Sequence, residues 1–172
     1  MFIASMRQII WTMNADQAGV EDLVSYTTSY ARTYCQQNHL IPEINALAEW
    51  PEVRLTSEQR RNIFLVVKEA LHNVVKHANA QNVRLTLGWE GGLVVELQDD
   101  GVGLSPHAQQ GEGHGLRNMG KRVAAVGGSI TMETGPKRTG DLAGARIRFH
   151  VPLEANQGYV ARATAPADLR SP

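Results

Sequence analysis

Glu69, Asn73 and His77 recur at steps of four residues, the spacing that stacks side chains along one side of a helix. Twenty-two residues past His77 comes Asp99-Asp100-Gly101-Val102-Gly103, and ten residues after that Gly113-His114-Gly115-Leu116. These residue types suit a site that holds a base, a metal and a triphosphate. A buried carboxylate at Asp99 accepts a hydrogen bond from an exocyclic amine such as that of adenine. A bond to a charged group contributes about 1.5–3 kcal/mol net, enough to prefer adenine over guanine, which presents a carbonyl there. Gly101 and Gly103 let the backbone approach the base closely. Asn73 offers a neutral oxygen of the kind suited to a Mg²⁺ that keeps several waters and also binds phosphate. Glu69, one turn earlier, is placed to accept a proton or to orient a water or nucleophile. Lys76 and His77, one turn later, are placed to meet phosphate oxygens. Gly113, His114, Gly115 and Leu116 put unpaired backbone N–H groups at a helix start, where phosphate binds readily. His114 reads as a lid residue rather than a metal ligand.

Each pattern has a plainer explanation. A polar stripe on a helix is usually a solvated face, and Asp-Gly is a common turn dipeptide. Against the first stands Asn73, a poor residue for a helix interior with no local reason to be there.

The elements that must position these residues are legible in outline. From about Asp16 to Tyr34, Val20, Leu23, Val24, Thr27, Tyr30, Ala31 and Tyr34 recur at helical steps. His39 to Leu47 is expected to hold an edge strand, with Pro42 near its boundary. Thr56 with Gln59 is a capping-box signal, and a helix is predicted from there to about His77. On it Glu69, Asn73 and His77 advance roughly 40° per step, so they span roughly 80° beside the apolar face. Asn82 to Glu90 alternates as a strand, with Val83, Leu85, Leu87 and Trp89 facing one way. Gly91-Gly92 signals a hairpin turn, and Leu93 to Asp99 is its partner, with Leu93, Val95 and Leu97 inward. Asp100 to His114 reads as a polar loop whose Leu104 to Gly113 stretch suits an ATP lid. Gly115 to Val126 reads as a helix stopped by Gly127-Gly128, followed by strands Ser129 to Thr134 and Ala145 to Val151. The fold expected is α/β in the α+β sense: a two-layer sandwich of a mixed, mostly antiparallel sheet with helices on one face. The order is no βαβ alternation, and the glycines do not follow a strand as GxGxxG, so a dinucleotide-binding fold is a poor fit.

Composition narrows the function. Lys plus Arg number 17, as do Asp plus Glu, so no global field favours nucleic acid or an anionic membrane surface. The one cysteine, Cys35, rules out an intrachain disulfide framework and suits a reducing cytosol. No stretch has the apolar length of a membrane span, and Met1 to Met13 lacks the marks of a signal peptide.

The run Phe64 to Ala78, with its Glu69-Ala70-Leu71 and Lys76-His77-Ala78, resembles the N box of the ATP-binding domain of bacterial sensor histidine kinases. Asp99 to Gly103 resembles that family's G1 box and Gly113 to Leu116 its G2 box. The superfamily also holds gyrase, the Hsp90 chaperones and the MutL proteins, and the details resemble the nitrate-sensor-like branch. The resemblance covers about residues 36–153. It implies the Bergerat ATP-binding fold, ATP and Mg²⁺ as ligands, Asp99 on adenine, Asn73 on Mg²⁺ and Glu69 assisting phosphoryl transfer. Lys76 and His77 would then contact phosphate, with Gly113, Gly115 and Leu116 forming lid hinge and phosphate cradle. One departure is Ala145 after Gly144, where the family usually has Thr; it puts a polar contact near the phosphates in doubt.

Three parts are expected: residues 1–35, a helix resembling the end of a dimerisation hairpin and its linker; 36–153, the catalytic domain; and 154–172, a disordered tail. The apolar stripe of the first part is expected to pair with a second copy. None of the six histidines has the context of an acceptor histidine. The chain is therefore expected to bind ATP and to phosphorylate only in trans, on an acceptor domain that serves a response regulator. Its place would be the cytoplasm, or the cytoplasmic part of a membrane-bound kinase. The alternatives are a serine kinase of the anti-sigma type, a gyrase- or MutL-like ATPase, and a degenerate module that only dimerises.

Overall fold

The computed structural model of the protein describes residues 19–104, 114–135 and 144–154. In chain order the elements are helix α1 (Val20–Gln37), strand β1 (Ile41–Ala46), helix α2 (Ser57–Asn73), a π-helical turn (Val74–Ala78), strands β2 (Asn82–Trp89) and β3 (Gly92–Asp99), helix α3 (His114–Ala125), and strands β4 (Ser129–Thr134) and β5 (Ala145–Pro152). The five strands form one sheet in the order β1-β2-β3-β5-β4. Only β1 and β2 run parallel; the other three neighbouring pairs are antiparallel. The mixed, mostly antiparallel sheet expected from the sequence is therefore present.

Alternation along the strands decides which face is covered. Val83, Leu85 and Leu87 of β2, Leu93, Val95 and Leu97 of β3, and Ile147, Phe149 and Val151 of β5 are buried in one core with all three helices. Asp99 shares the parity of Leu93, Val95 and Leu97, so it lies on that helix-covered face. The other face carries ion pairs instead: Arg84 with Glu43 at 3.0 Å and Arg146 with Glu96 at 2.7 Å. Among the described residues no helix layer covers that face, and the charged side chains settle there, with Val94 and Gln98 of the central strand buried among them.

Helix α2 starts where the capping box sets it. Thr56 Oγ1 accepts from the Gln59 N–H at 3.1 Å, and Gln59 Oε1 accepts from the Thr56 N–H at 2.9 Å. Its far end differs from the continuous helix that the periodicity predicts. The α-helix stops at Asn73, and Val74–Ala78 form a single wider turn before Asn79, whose φ of 51° ends the helix.

The helix at the start of the chain is an integral wall of the same core. Val20, Leu23, Val24, Thr27, Ala31 and Cys35 are buried on it, and Phe64 of α2 meets Tyr26 and Tyr30 with ring centroids 5.0 and 5.1 Å apart. Each fully buried aliphatic side chain contributes about 1.5–3 kcal/mol, so α1 cannot be set apart from the rest of the domain. The boundary expected between 35 and 36 falls inside α1 itself. The stripe expected to recruit a second copy is already covered by α2 and the sheet, so residues 20–37 give no ground for pairing. Residues 1–18, and the tail beyond Glu154, lie outside the described residues. The β2–β3 turn also sits slightly earlier than expected: the Glu90 N–H donates to the Gly92 carbonyl at 2.9 Å, Gly91 has the positive φ, and Gly92 already belongs to β3. Among the described residues, no helix is long and apolar enough to cross a membrane.

Candidate functional site

The end of α2, the end of β3 and the start of α3 surround a cavity of about 670 Å³, in the range that encloses a nucleotide-sized ligand. Its lining is largely apolar, from Ala70, Val74, Leu97, Leu104, Leu116 and Ile147. Asn73, His77, Asp99 and His114 supply the side-chain polar groups. Residues from all three sequence patterns thus converge on one space.

The helix row reaches the cavity by a different geometry from the one expected. Had α2 run on to His77, that side chain would have advanced about 40° beyond Asn73. In the wider π turn four residues fall short of a full revolution, so His77 turns back toward the direction of Asn73. Both line the cavity, and a π turn inside a helix is often found at a functional site. Lys76 is exposed and is not in the lining.

Glu69 stands just behind the lining, against the first turn of α3. A Cβ placed on Gly115 would lie 2.5 Å from Glu69 Oε1 and 3.6 Å from Asn73 Oδ1. Any residue larger than glycine at 115 would displace that carboxylate. The first turn of α3 thus lies beside Glu69 and Asn73, and His114, Gly115 and Leu116 all line the cavity. Gly113 lies outside the described residues.

Two adjacent carboxylates take opposite roles. Asp100 is consumed by the fold: its Oδ1 accepts from the N–H groups of Gln81 and Asn82 at 2.8 and 2.9 Å, and its Oδ2 from the Asn82 side chain at 2.6 Å. Burial works to raise its pKa, but the bonds from Asn82 and Gln81 outweigh it and hold the group below its ordinary value. Asp99 is 1% exposed. Burial drives its pKa above the ordinary value, against the bonds from Gly101 and Ala145. Both bonds fall on Oδ1, from the Gly101 N–H at 2.8 Å and the Ala145 N–H at 3.2 Å. One oxygen is thereby fixed, and the residue lies in the lining of the cavity.

Gly101 and Gly103 serve different ends. Gly101 is not in the lining; a Cβ there would collide with the Ala78 carbonyl. Its closeness is to the π turn, and the Val102 N–H completes the join by donating to the same carbonyl at 2.8 Å. Gly103 does line the cavity, with φ of 78°, a left-handed conformation that glycine adopts without strain.

Sequence reasoning missed Gly144 and misplaced its neighbour. Ala145 lies beside the Asp99 carboxylate, its N–H on Oδ1, rather than among the residues assigned to phosphate. A Thr there would add its hydroxyl next to Asp99, so the departure from the family pattern concerns the surroundings of that carboxylate. The only signal in the sequence was Gly144 heading the last alternating strand.

Comparison with known proteins agrees with this arrangement. Residues 58–155 match the family described as histidine kinase-, DNA gyrase B-, and HSP90-like ATPase. The chain belongs to that family. Within it, its kin are sensor histidine kinases. It is 45% identical to the signal transduction histidine-protein kinase/phosphatase UhpB of Salmonella typhimurium over 83 residues, 47% of this chain and 16% of that protein. It is 28% identical to the nitrate/nitrite sensor protein NarQ of Escherichia coli over 98 residues, 55% of this chain and 17% of that protein. The chain thus spans less than a fifth of the length of these relatives. In fold it is similar to the histidine kinase domain of the blue-light activated histidine kinase of Erythrobacter litoralis EL346, with a TM-score of 0.65 at 23% identity, covering 85% of this chain and 69% of that one. The ATP-binding domain of PrrB from Mycobacterium tuberculosis gives a TM-score of 0.59 at 23% identity, covering 80% and 96%. The chain therefore carries an ATPase domain of this family, similar in sequence to that part of sensor histidine kinases, and the serine-kinase and dimerisation-module alternatives are not favoured.

Proposed function

We propose that this domain binds Mg-ATP and transfers its γ-phosphoryl group to a histidine on an acceptor domain outside the described residues. That acceptor would in turn serve a response regulator, and the setting is the cytoplasm. The observation that carries this reading is the buried Asp99, its Oδ1 held by two backbone N–H groups, in the lining of a cavity that it shares with Asn73, His77 and the first turn of α3.

In this reading Asp99 Oδ2 accepts from the adenine amine, and the apolar lining excludes water around the base. His77 and the N–H groups at the start of α3 meet phosphate oxygens, with the helix dipole favouring the negative charge. Lys76, exposed beside His77 in the sequence, adds a solvated positive charge. Asn73 is the residue that would hold Mg²⁺. Among the described residues no three His, Cys, Asp or Glu side chains come together as a metal cage, which suits an ion held largely by water and phosphate. When bound, the ion would neutralise charge on the transferring group. Glu69, packed against Gly115 beside Asn73, is the group to take the proton from, or orient, the attacking nucleophile.

Calorimetric titration of Mg-ATP into this chain, beside Asp99→Asn, tests the nucleotide half. Saturable binding that the substitution weakens by about ten- to a hundredfold is expected, the worth of one bond to a charged group. Incubation with labelled ATP and an acceptor-histidine domain of the nitrate-sensor type tests the other half. Labelled phosphate on that domain supports the reading, and stable label on this chain's own histidines overturns it.

A further inference from the structure

The cavity wall formed by Val102, Gly103 and Leu104 is held from a strand end that itself lies outside the cavity. Thr134, the last residue of β4, is exposed and is not in the lining. Its Oγ1 accepts from the Leu104 N–H at 3.1 Å and donates to the Leu104 carbonyl at 3.4 Å. Its methyl group fills the space over Gly103, where a Cβ would stand 2.6 Å from Thr134 Cγ2. One step on, the Gly135 N–H donates to the Gly144 carbonyl, and the Gly144 N–H to the Asp99 carbonyl, both at 2.8 Å. The same strand end is thereby linked to the wall and to the backbone of Asp99.

We propose that Thr134 is a positioning residue for nucleotide binding, its hydroxyl clamping Leu104 so that Val102–Leu104 stand at a fixed distance from Asp99. This rests on the cavity being the ATP site. A threonine hydroxyl can donate and accept at once, which valine of the same shape cannot and serine can. The side chain lies outside the cavity, so its influence passes through the backbone of residues 103 and 104.

The test compares Thr134→Val with Thr134→Ser, each as the full chain, by Mg-ATP titration and by hydrogen exchange at the Leu104 amide. The valine variant is expected to bind about two- to tenfold more weakly, the net worth of one hydrogen bond, and to exchange the Leu104 amide faster. The serine variant is expected to match the natural chain in both. Melting of the nucleotide-free chains separates this from loss of fold, because each variant is expected to melt cooperatively within about 4 °C of the natural chain. Equal binding by the two variants, with Asp99→Asn still weakening it, overturns this proposal alone. No binding by the natural chain overturns the ATP reading and this proposal with it.

Discussion

Gly144 and Asp99 are in contact through both backbone and side chain. The Gly144 N–H donates to the Asp99 carbonyl at 2.8 Å, and a Cβ on Gly144 would overlap Asp99 Oδ1 and stand 2.5 Å from the Gly101 N. The carboxylate of the site is therefore seated on a residue that cannot carry a side chain, from the far end of the chain's last hairpin.

Gly144→Ala should accordingly damage stability and site together. The atoms in its way are mostly backbone, so the strands must part, an overpacking cost of about 1–3 kcal/mol. Nucleotide binding should fail along with it. Gly120→Ala, on α3 with nothing within 4 Å of the added carbon, is the control. There a gain of about 0.5–1 kcal/mol is expected. Equal thermal melting of the two variants would contradict the contact.

Acid should act on Asp99 in two opposite directions. Its folded pKa is raised by burial, so the native state holds that proton more tightly than the unfolded chain. Its contribution to stability is then full below the unfolded value of about 3.9 and is lost as pH rises through the raised folded value. In the proposed reading nucleotide binding needs the ionised acceptor, and it should fade as pH falls through the same window. Relative to Asp99→Asn, the natural chain should lose stability as pH rises from about 4, then level off. A stability difference between the two that does not change with pH would refute the raised pKa.

Glu69→Gln keeps the size of the side chain packed against Gly115 and removes its basicity. Mg-ATP affinity should stay within about twofold, while transfer to an acceptor-histidine domain falls by about 10²–10⁴-fold, the range for a lost general base. Transfer at the natural rate would show that Glu69 only shapes the start of α3.

Thr27 lies on the buried face of α1, and its Oγ1 has no hydrogen-bond partner among the described residues. Thr27→Val replaces that hydroxyl with a methyl of similar shape, and β-branching is kept. A gain of about 1 kcal/mol is expected, read as a rise of about 2–4 °C in the melting temperature. A drop would mean that water reaches the hydroxyl.

What the sequence disclosed was local. Val83, Leu85 and Leu87 announced a half-buried strand because a two-layer fold covers one sheet face, and Thr56 with Gln59 announced a helix start because both partners lie within one turn. The three polar patterns converged as expected, since each sits at the end of an element. What stayed hidden depends on contacts between distant segments. Nothing near Ile41 foretells its parallel run beside Asn82. The stripe of α1 looks the same whether α2 or a second copy covers it. The π turn at Val74–Ala78 has no sequence mark that a helical period reveals, and the roles of Gly144, Ala145 and Thr134 exist only once β5 and β4 have docked.

The sheet order also bears on the time course of folding. Strands β2 and β3 meet through a short turn, but β3 meets β5 only across a gap that separates Asp99 from Ala145 by 46 residues. Closing so long a loop is slow compared with forming a hairpin. In pulsed exchange during refolding, the amide of Thr86, which faces β3, should become protected before that of Ala145. The pocket around Asp99 is then among the last features to appear, and a chain halted midway would hold a formed hairpin with its acid still open to water.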